Sequence, residues 1–406
     1  MSGPNRPRLR ALGLALLALL AVAALLNGLL FAWLSPGGDM YLRLNEYSYF
    51  RTGVFPHPQL ALRKGLEITA FSVYPPYAMP MFAPFFHPGG AVQGRLVIQA
   101  LSLLSLGLIG WVGQRLLRGA GAAAGVLGAL AGAAISGNSN ALAQGQFSLI
   151  CMGLITAQWL LLARQQQLPA GLCWALAMIK PQIALPFALP FLRARRLRGL
   201  VVGVALLLAL SAVAFWHTGV TPLDYLQIWT RPQSMDFIRG GSQSSAGDLA
   251  DSFGLSAAAS QLLVAGLTAA AVSLWWWCRR QQPEDPLQTA AVCAAASAVG
   301  FYHLNYDNIL LFPALLMTLR LAITRQRPQW RLLAVAMALS LWTPQRIIER
   351  VPLGGQAQLL LWLLVGMVLA LQAPELDAGG APLESRSSGS EPVAPMDAAA
   401  EPGARP

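Results

Sequence analysis

The chain has 406 residues, 55% of them hydrophobic and only 11% charged, with a mean hydropathy of +0.52. Soluble domains carry roughly a quarter charged residues, so one aqueous core could not absorb this much apolar sequence, whereas a bilayer can. The formal charge of +11 does not mark a nucleic-acid binder, because the arginines sit in short clusters between apolar runs, as loops facing anionic membrane lipids do.

Arg6, Arg8 and Arg10 precede an unbroken apolar run from Ala11 to Leu34. A cleaved leader has an apolar core of about 7–15 residues, so this longer run reads as an uncleaved signal-anchor with its N-terminus inside. Further crossings are expected at 93–117, 119–136, 145–163, 199–217, 254–278, 286–302, 305–322, 331–346 and 356–372, with an additional apolar segment at 74–86. All should be helices, since lipid offers the backbone no hydrogen-bond partner. Between the first and second crossings, Tyr41, Leu44, Tyr47 and Phe50 recur at helical spacing within Asp39 to Gly53, which predicts an amphipathic helix in the interface plane. Residues 218–252 are rich in Ser, Gly and Asp and read as an irregular outer loop. The tail 374–406, rich in Ala, Pro, Gly, Ser and Glu and without aromatics, reads as a disordered cytoplasmic extension of a membrane domain spanning 1–373.

Arginine placement orients the crossings. Arg115, Arg118, Arg164, Arg193 to Arg198, Arg279, Arg280 and Arg320 to Arg331 fall on one side with only Glu284 and Asp285 as acids, while the opposite side mixes signs. The alternation closes as a positive-inside pattern. Residues 167–192 carry arginines at both flanks and break at Lys180-Pro181, so they read as a re-entrant hairpin returning to the cytoplasmic side, with one kinked span as the alternative. Lysine is almost absent (Lys64 and Lys180 only), and the Arg-, Ala-, Leu- and Gly-rich usage points to a GC-rich bacterial genome. The four cysteines lie in or beside apolar stretches without CxxC or Cys/His spacing, so they read as small buried hydrophobes, and neither a metal nor a cofactor is expected.

Five polar groups stand out against this apolar background. Asp39, after Pro36-Gly37-Gly38, occupies a natural helix N-cap; it is either a plain cap or a general base at the membrane face. Tyr74-Pro75-Pro76 suits a helix start, and Tyr74 could stack on a sugar or an isoprene. Gln146, after Gly145, opens the fourth crossing. Lys180 is a lone cation in apolar sequence; it either snorkels to the interface or meets a partner such as a lipid phosphate. His303, Tyr306 and Asp307 meet at an outer junction of two crossings, with His303 and Asp307 one helical turn apart.

In order and side, the Asp39 segment, Tyr74-Pro75-Pro76 with Pro84, Gly145-Gln146, Lys180-Pro181 with Pro186, and His303 with Tyr306-Asp307 resemble glycosyltransferase family 87 over about residues 10–345. The resemblance implies an all-α integral membrane protein, a GT-C-type polytopic helical bundle of about 10–12 membrane segments with interfacial helices in the first outer loop. It also implies a polyprenyl-phosphate-sugar donor, mannose-like in the namesake proteins, a lipid-linked or glycan acceptor, inversion at the anomeric carbon, and no nucleotide-sugar site. Asp39 maps to the family's catalytic Asp, and the His303, Tyr306, Asp307 junction to its donor-phosphate and acceptor region. With Asp39 as base, the leaving phosphate would be met by His303 and by Arg43 or Arg51. Such an enzyme is expected in the bacterial inner membrane with its site facing the periplasm or exterior. A multi-pass lipid or small-solute transporter or flippase is the alternative, and it predicts ionisable residues spread through the crossings.

Overall fold

The computed structural model describes residues 6–34, 37–68, 71–193, 195–229, 257–282 and 284–372. Helices account for nearly all of it, and no strand occurs among the described residues. Among the described residues six helices are long and apolar enough to cross a membrane: Ala11–Leu34, Gly90–Ala120, Leu197–Thr218, Leu262–Arg279, Asn305–Thr324 and Gly354–Leu371. The chain is therefore an all-α, multi-pass membrane protein.

A further pair of apolar helices is long enough for a crossing only when its two halves are taken together. Helices Ala122–Ala133 and Gly137–Gln144 meet at 45°. They climb together along the first helix: Ala134 packs with Leu17 and Ala21, Asn27 Nδ2 donates to Ser139 Oγ at 2.6 Å, and Gly37 N donates to Ala143 O at 3.1 Å. The crossing expected at 119–136 leaves Asn138 and Asn140 between it and the next expected crossing at 145–163, a polar stretch suited to a loop. The structure keeps them helical because each finds a partner: Asn138 Nδ2 donates to Gly132 O at 2.9 Å, and Asn140 Nδ2 to Asn305 Oδ1 at 2.8 Å.

Three other expected crossings are short. Helices Ser148–Ala163, Pro286–Gly300 and Pro328–Trp342 have 16, 15 and 15 residues. At about 1.5 Å per residue they reach roughly 22–24 Å, less than the ~30 Å of a hydrocarbon core. Pro286–Gly300 is buried from Leu287 to Gly300. Its many alanines let neighbouring backbones close around it, so it forms the axis of the bundle.

The arginine-rich rim of the bundle is marked by ion pairs. Arg196 and Arg193 reach Glu284 at 2.6 and 3.5 Å, and Arg320 reaches Asp285 at 3.3 Å. The two acids found among these clustered arginines are thus their partners. Exposed Trp216 and Trp277 lie at opposite ends of the bundle, as interfacial aromatics do.

The outer segment differs from its amphipathic reading. Helix Gly38–Arg51 buries Met40, Arg43, Glu46, Tyr47 and Phe50, while Tyr41 faces out. The buried stripe admits two charges because Arg43 and Glu46 pair with each other. Residues 74–86 do not cross: two four-residue helices, Ala78–Met81 and Ala83–Phe86, follow a turn in which the Pro75 and Pro76 carbonyls accept from Ala78 N and Met79 N at 2.9 and 3.1 Å. The outer loop expected to be irregular opens with helix Pro222–Trp229, tied to the first outer segment by an Arg63–Asp224 ion pair. Residues 230–252 and the tail from Pro374 lie outside the described residues.

Candidate active site

Lys180 sits at the tip of the hairpin. Helix Gln167–Ala177 rises to it, Pro181 opens the descending limb, where its missing N–H costs nothing, and a 3-10 stretch, Leu185–Leu192, returns toward the arginines. Trp174 Nε1 donates to Ala184 O at 3.0 Å, joining the limbs, and Gln158 Nε2 donates to Phe187 O at 2.7 Å, tying the hairpin to its neighbour. The tip is buried, with Lys180 only 4% exposed. Its Nζ lies 2.6 Å from Asp307 Oδ1 and 2.9 Å from Ser148 Oγ, and 4.6 Å from the centre of the Tyr306 ring. Ser148 Oγ also donates to Asp307 Oδ1, and Asp307 Oδ2 accepts from Leu304 N at 3.3 Å. The hairpin therefore penetrates to the outer junction, farther than arginine placement indicated. Lys180 does not snorkel to the cytoplasmic rim, because a buried carboxylate neutralises it where it is.

Asp39 lies beside this group but does not cap its helix. Gly37 is the cap, and Asp39 falls in the first turn, where its Oδ2 accepts from Gln146 Nε2. The turn that delivers Gln146 depends on Gly145. Its φ of +66° ends helix Gly137–Gln144, and a side chain there would collide with Met40. Arg43, one turn beyond Asp39, pairs with Glu46 at 2.9 Å and stacks over Tyr74 at 4.5 Å. Burial pushes the Glu46 carboxyl up to about 7, against the opposing pull of Arg43. Burial likewise raises the Tyr74 hydroxyl well above its usual range, and Arg43, Glu46, Asp39 and Asp307 all act on it electrostatically. Asp39 and Asp307 therefore both lie within electrostatic range of the Tyr74 hydroxyl.

His303 lies within electrostatic range of Asp307 and Lys180, 1% exposed, its ring 5.6 Å from that of Trp362. Burial lowers its pKa, with Asp307 opposing, so the ring is neutral. Nδ1 lies 3.4 Å from Phe301 O, and Nε2 has no hydrogen-bond partner among the described residues. Arg51 is not brought in. It is exposed at the far end of the Asp39 helix, roughly 18 Å along the axis.

Two members of the cluster escaped the sequence reading. Ser148 follows Gly145-Gln146 by two positions and looks like an ordinary helix start. Glu46 lies three residues after Arg43, a spacing that does signal an ion pair on one helical face.

No curated protein and no solved structure gives a significant match to the chain. The model of glycosyltransferase family 87 matches residues 72–299, a stretch that contains Tyr74, Gln146, Ser148 and Lys180. That match spans more than half of a multi-pass helical membrane protein, and the chain belongs to glycosyltransferase family 87.

Proposed function

We propose that this membrane glycosyltransferase moves a sugar from a polyprenyl-phosphate-sugar donor to a lipid-linked or glycan acceptor at the non-cytoplasmic face, with inversion. The observation that carries this reading is the Asp39 carboxylate, oriented by Gln146 on one oxygen and lying, like Asp307 of the Lys180 pair, within electrostatic range of the Tyr74 hydroxyl. In the proposed reaction Asp39 Oδ1 takes the proton of the acceptor hydroxyl. The hydroxyl oxygen bonds to the anomeric carbon as the carbon–oxygen bond to phosphate breaks, and the phosphate leaves with that electron pair.

Charge developing on the phosphate needs fixed cations, and preorganised groups of this kind are usually the largest catalytic term. Arg43 serves best, since its partner Glu46 is half protonated near neutral pH. His303 is neutral as it stands, and a phosphate against Nε2 would draw a proton onto it. Tyr74, under the Arg43 guanidinium, offers an aromatic face and a hydroxyl to the sugar. Lys180, already neutralised by Asp307, shapes the floor of the site. A bacterial inner membrane, with the site opening to the periplasm or exterior, is the location proposed from arginine placement and residue usage.

The test is transfer of radiolabelled sugar from polyprenyl-phosphate-mannose by the purified protein in nanodiscs. Asp39→Asn should keep the fold and lower the transfer rate by about 10²-fold or more. Undiminished transfer would remove Asp39 from the mechanism; movement of donor across the bilayer without transfer would replace the enzyme reading with a flippase.

A further inference from the structure

A shallow notch opens where Ala32, Gly37, Met40 and Gly145 meet Arg95 and Gln99. Arg95 and Gln99 lie one turn apart on helix Gly90–Leu117 and therefore share a face. Gln99 is 7% exposed, and its buried Nε2 has no partner among the described residues; the same is true of Arg95 Nε. The Arg95 guanidinium is held 4.8 Å over the Trp33 ring. The backbone nitrogen at the rim, Gly37 N, is already committed to Ala143 O.

The unused groups in the notch are donors, and one side chain is cationic. A cation would be repelled, and a neutral hydroxyl would leave the charge unanswered. The matching ligand brings negative charge and several acceptor oxygens, which is the chemistry of a phosphate. Leaving such donors empty costs about 1–3 kcal/mol for each buried group. Depth identifies the carrier. Arg95 is near the outer start of its crossing, and Trp33 ends the first crossing, so the notch lies at headgroup level. Below it, Leu30 and Phe31 on one helix and Leu96 on the other are exposed, giving hydrocarbon chains a surface.

We propose that the notch between Arg95, Gln99 and the Gly37–Met40 turn binds the phosphate of a lipid. The inference stands apart from sugar transfer and survives if Asp39 proves not to be the base. The two lipid sources, a bilayer phospholipid or a polyprenyl phosphate, present the same oxyanion.

Binding to the purified full chain is measured with phosphatidylglycerol, a polyprenyl phosphate, inorganic phosphate and, as an uncharged control, diacylglycerol. Arg95→Met should weaken at least one phosphate lipid by about 10- to 100-fold, and Gln99→Leu by about 5-fold, with diacylglycerol unchanged. The lipid that loses affinity names the source. Arg95→Lys should fall between wild type and Arg95→Met, because it keeps charge without the planar donor array. If Arg95→Met fails to fold, Gln99→Leu and Arg95→Lys carry the test. Equal loss for diacylglycerol, inorganic phosphate bound as tightly as the lipids, or unchanged affinity in the variants overturns the proposal.

Discussion

Lys180 and Asp307 are almost inaccessible to water, and neither charge could remain there alone. Lys180→Met should therefore cost about 3–5 kcal/mol, seen as a lower unfolding temperature in detergent or nanodiscs, and adding Asp307→Asn should restore part of it. Additive losses would mean that the two do not act as a pair. Glu46 gives a pH signature. Burial raises the folded carboxyl to about 7, while the unfolded chain releases its proton near the ordinary value of 4.5. Between those values the folded form binds more protons, so stability falls as pH rises through the window and levels off above 7, a change on the order of 3 kcal/mol. Glu46→Gln should flatten that slope in unfolding measured from pH 4.5 to 8. At this scale the sequence was most legible where a polar side chain interrupts an apolar run, as Asp39, Gln146 and Lys180 do. Glu46 was hidden because a carboxylate on an amphipathic helix looks solvated, and its burial depends on Arg43 and on Ser72 from a distant segment.

Among elements, the hairpin carries the most. Its break was readable from Lys180-Pro181 and its return from flanking arginines, but its depth was not. Charge bias reports the side on which a loop lies and is silent about how far a segment enters before turning back. Depth is set by side contacts such as Gln158 to the Phe187 carbonyl. Gln158→Leu leaves that carbonyl without its donor and should lower stability by about 1–3 kcal/mol. Because the hairpin supports Lys180, the turnover number should fall more than donor affinity does. A variant with reduced stability and unchanged turnover would separate the hairpin from the reaction. The bent helix pair at 122–144 was misjudged for a related reason: asparagines read as loop residues until partners such as Asn305 appear.

At the scale of the molecule, composition disclosed the membrane and periodicity disclosed most helices, whereas length misled. Apolar runs of adequate hydropathy proved to be short helices closed inside the bundle, because protein and lipid offer equally apolar surroundings. The orientation is directly testable. In a variant without the four native cysteines, Thr52→Cys, exposed just beyond the Asp39 helix, should react with an impermeant maleimide on intact cells. Gln166→Cys, exposed beside Arg164, should react only after permeabilisation. The reverse result would invert the topology and move the site to the cytoplasmic face.

The short helices at the centre have a thermodynamic consequence for whatever lipid-linked reactant arrives. Central helices some 6–8 Å shorter than the hydrocarbon thickness end below headgroup level, and Ser148 and Gly300 stand at such helix ends. A reactant hauled up into water would expose methylenes at about 0.8 kcal/mol each. Recessed helix ends remove that requirement: the anchor stays dissolved in the bilayer, and the polar head meets the protein at the depth where it already resides.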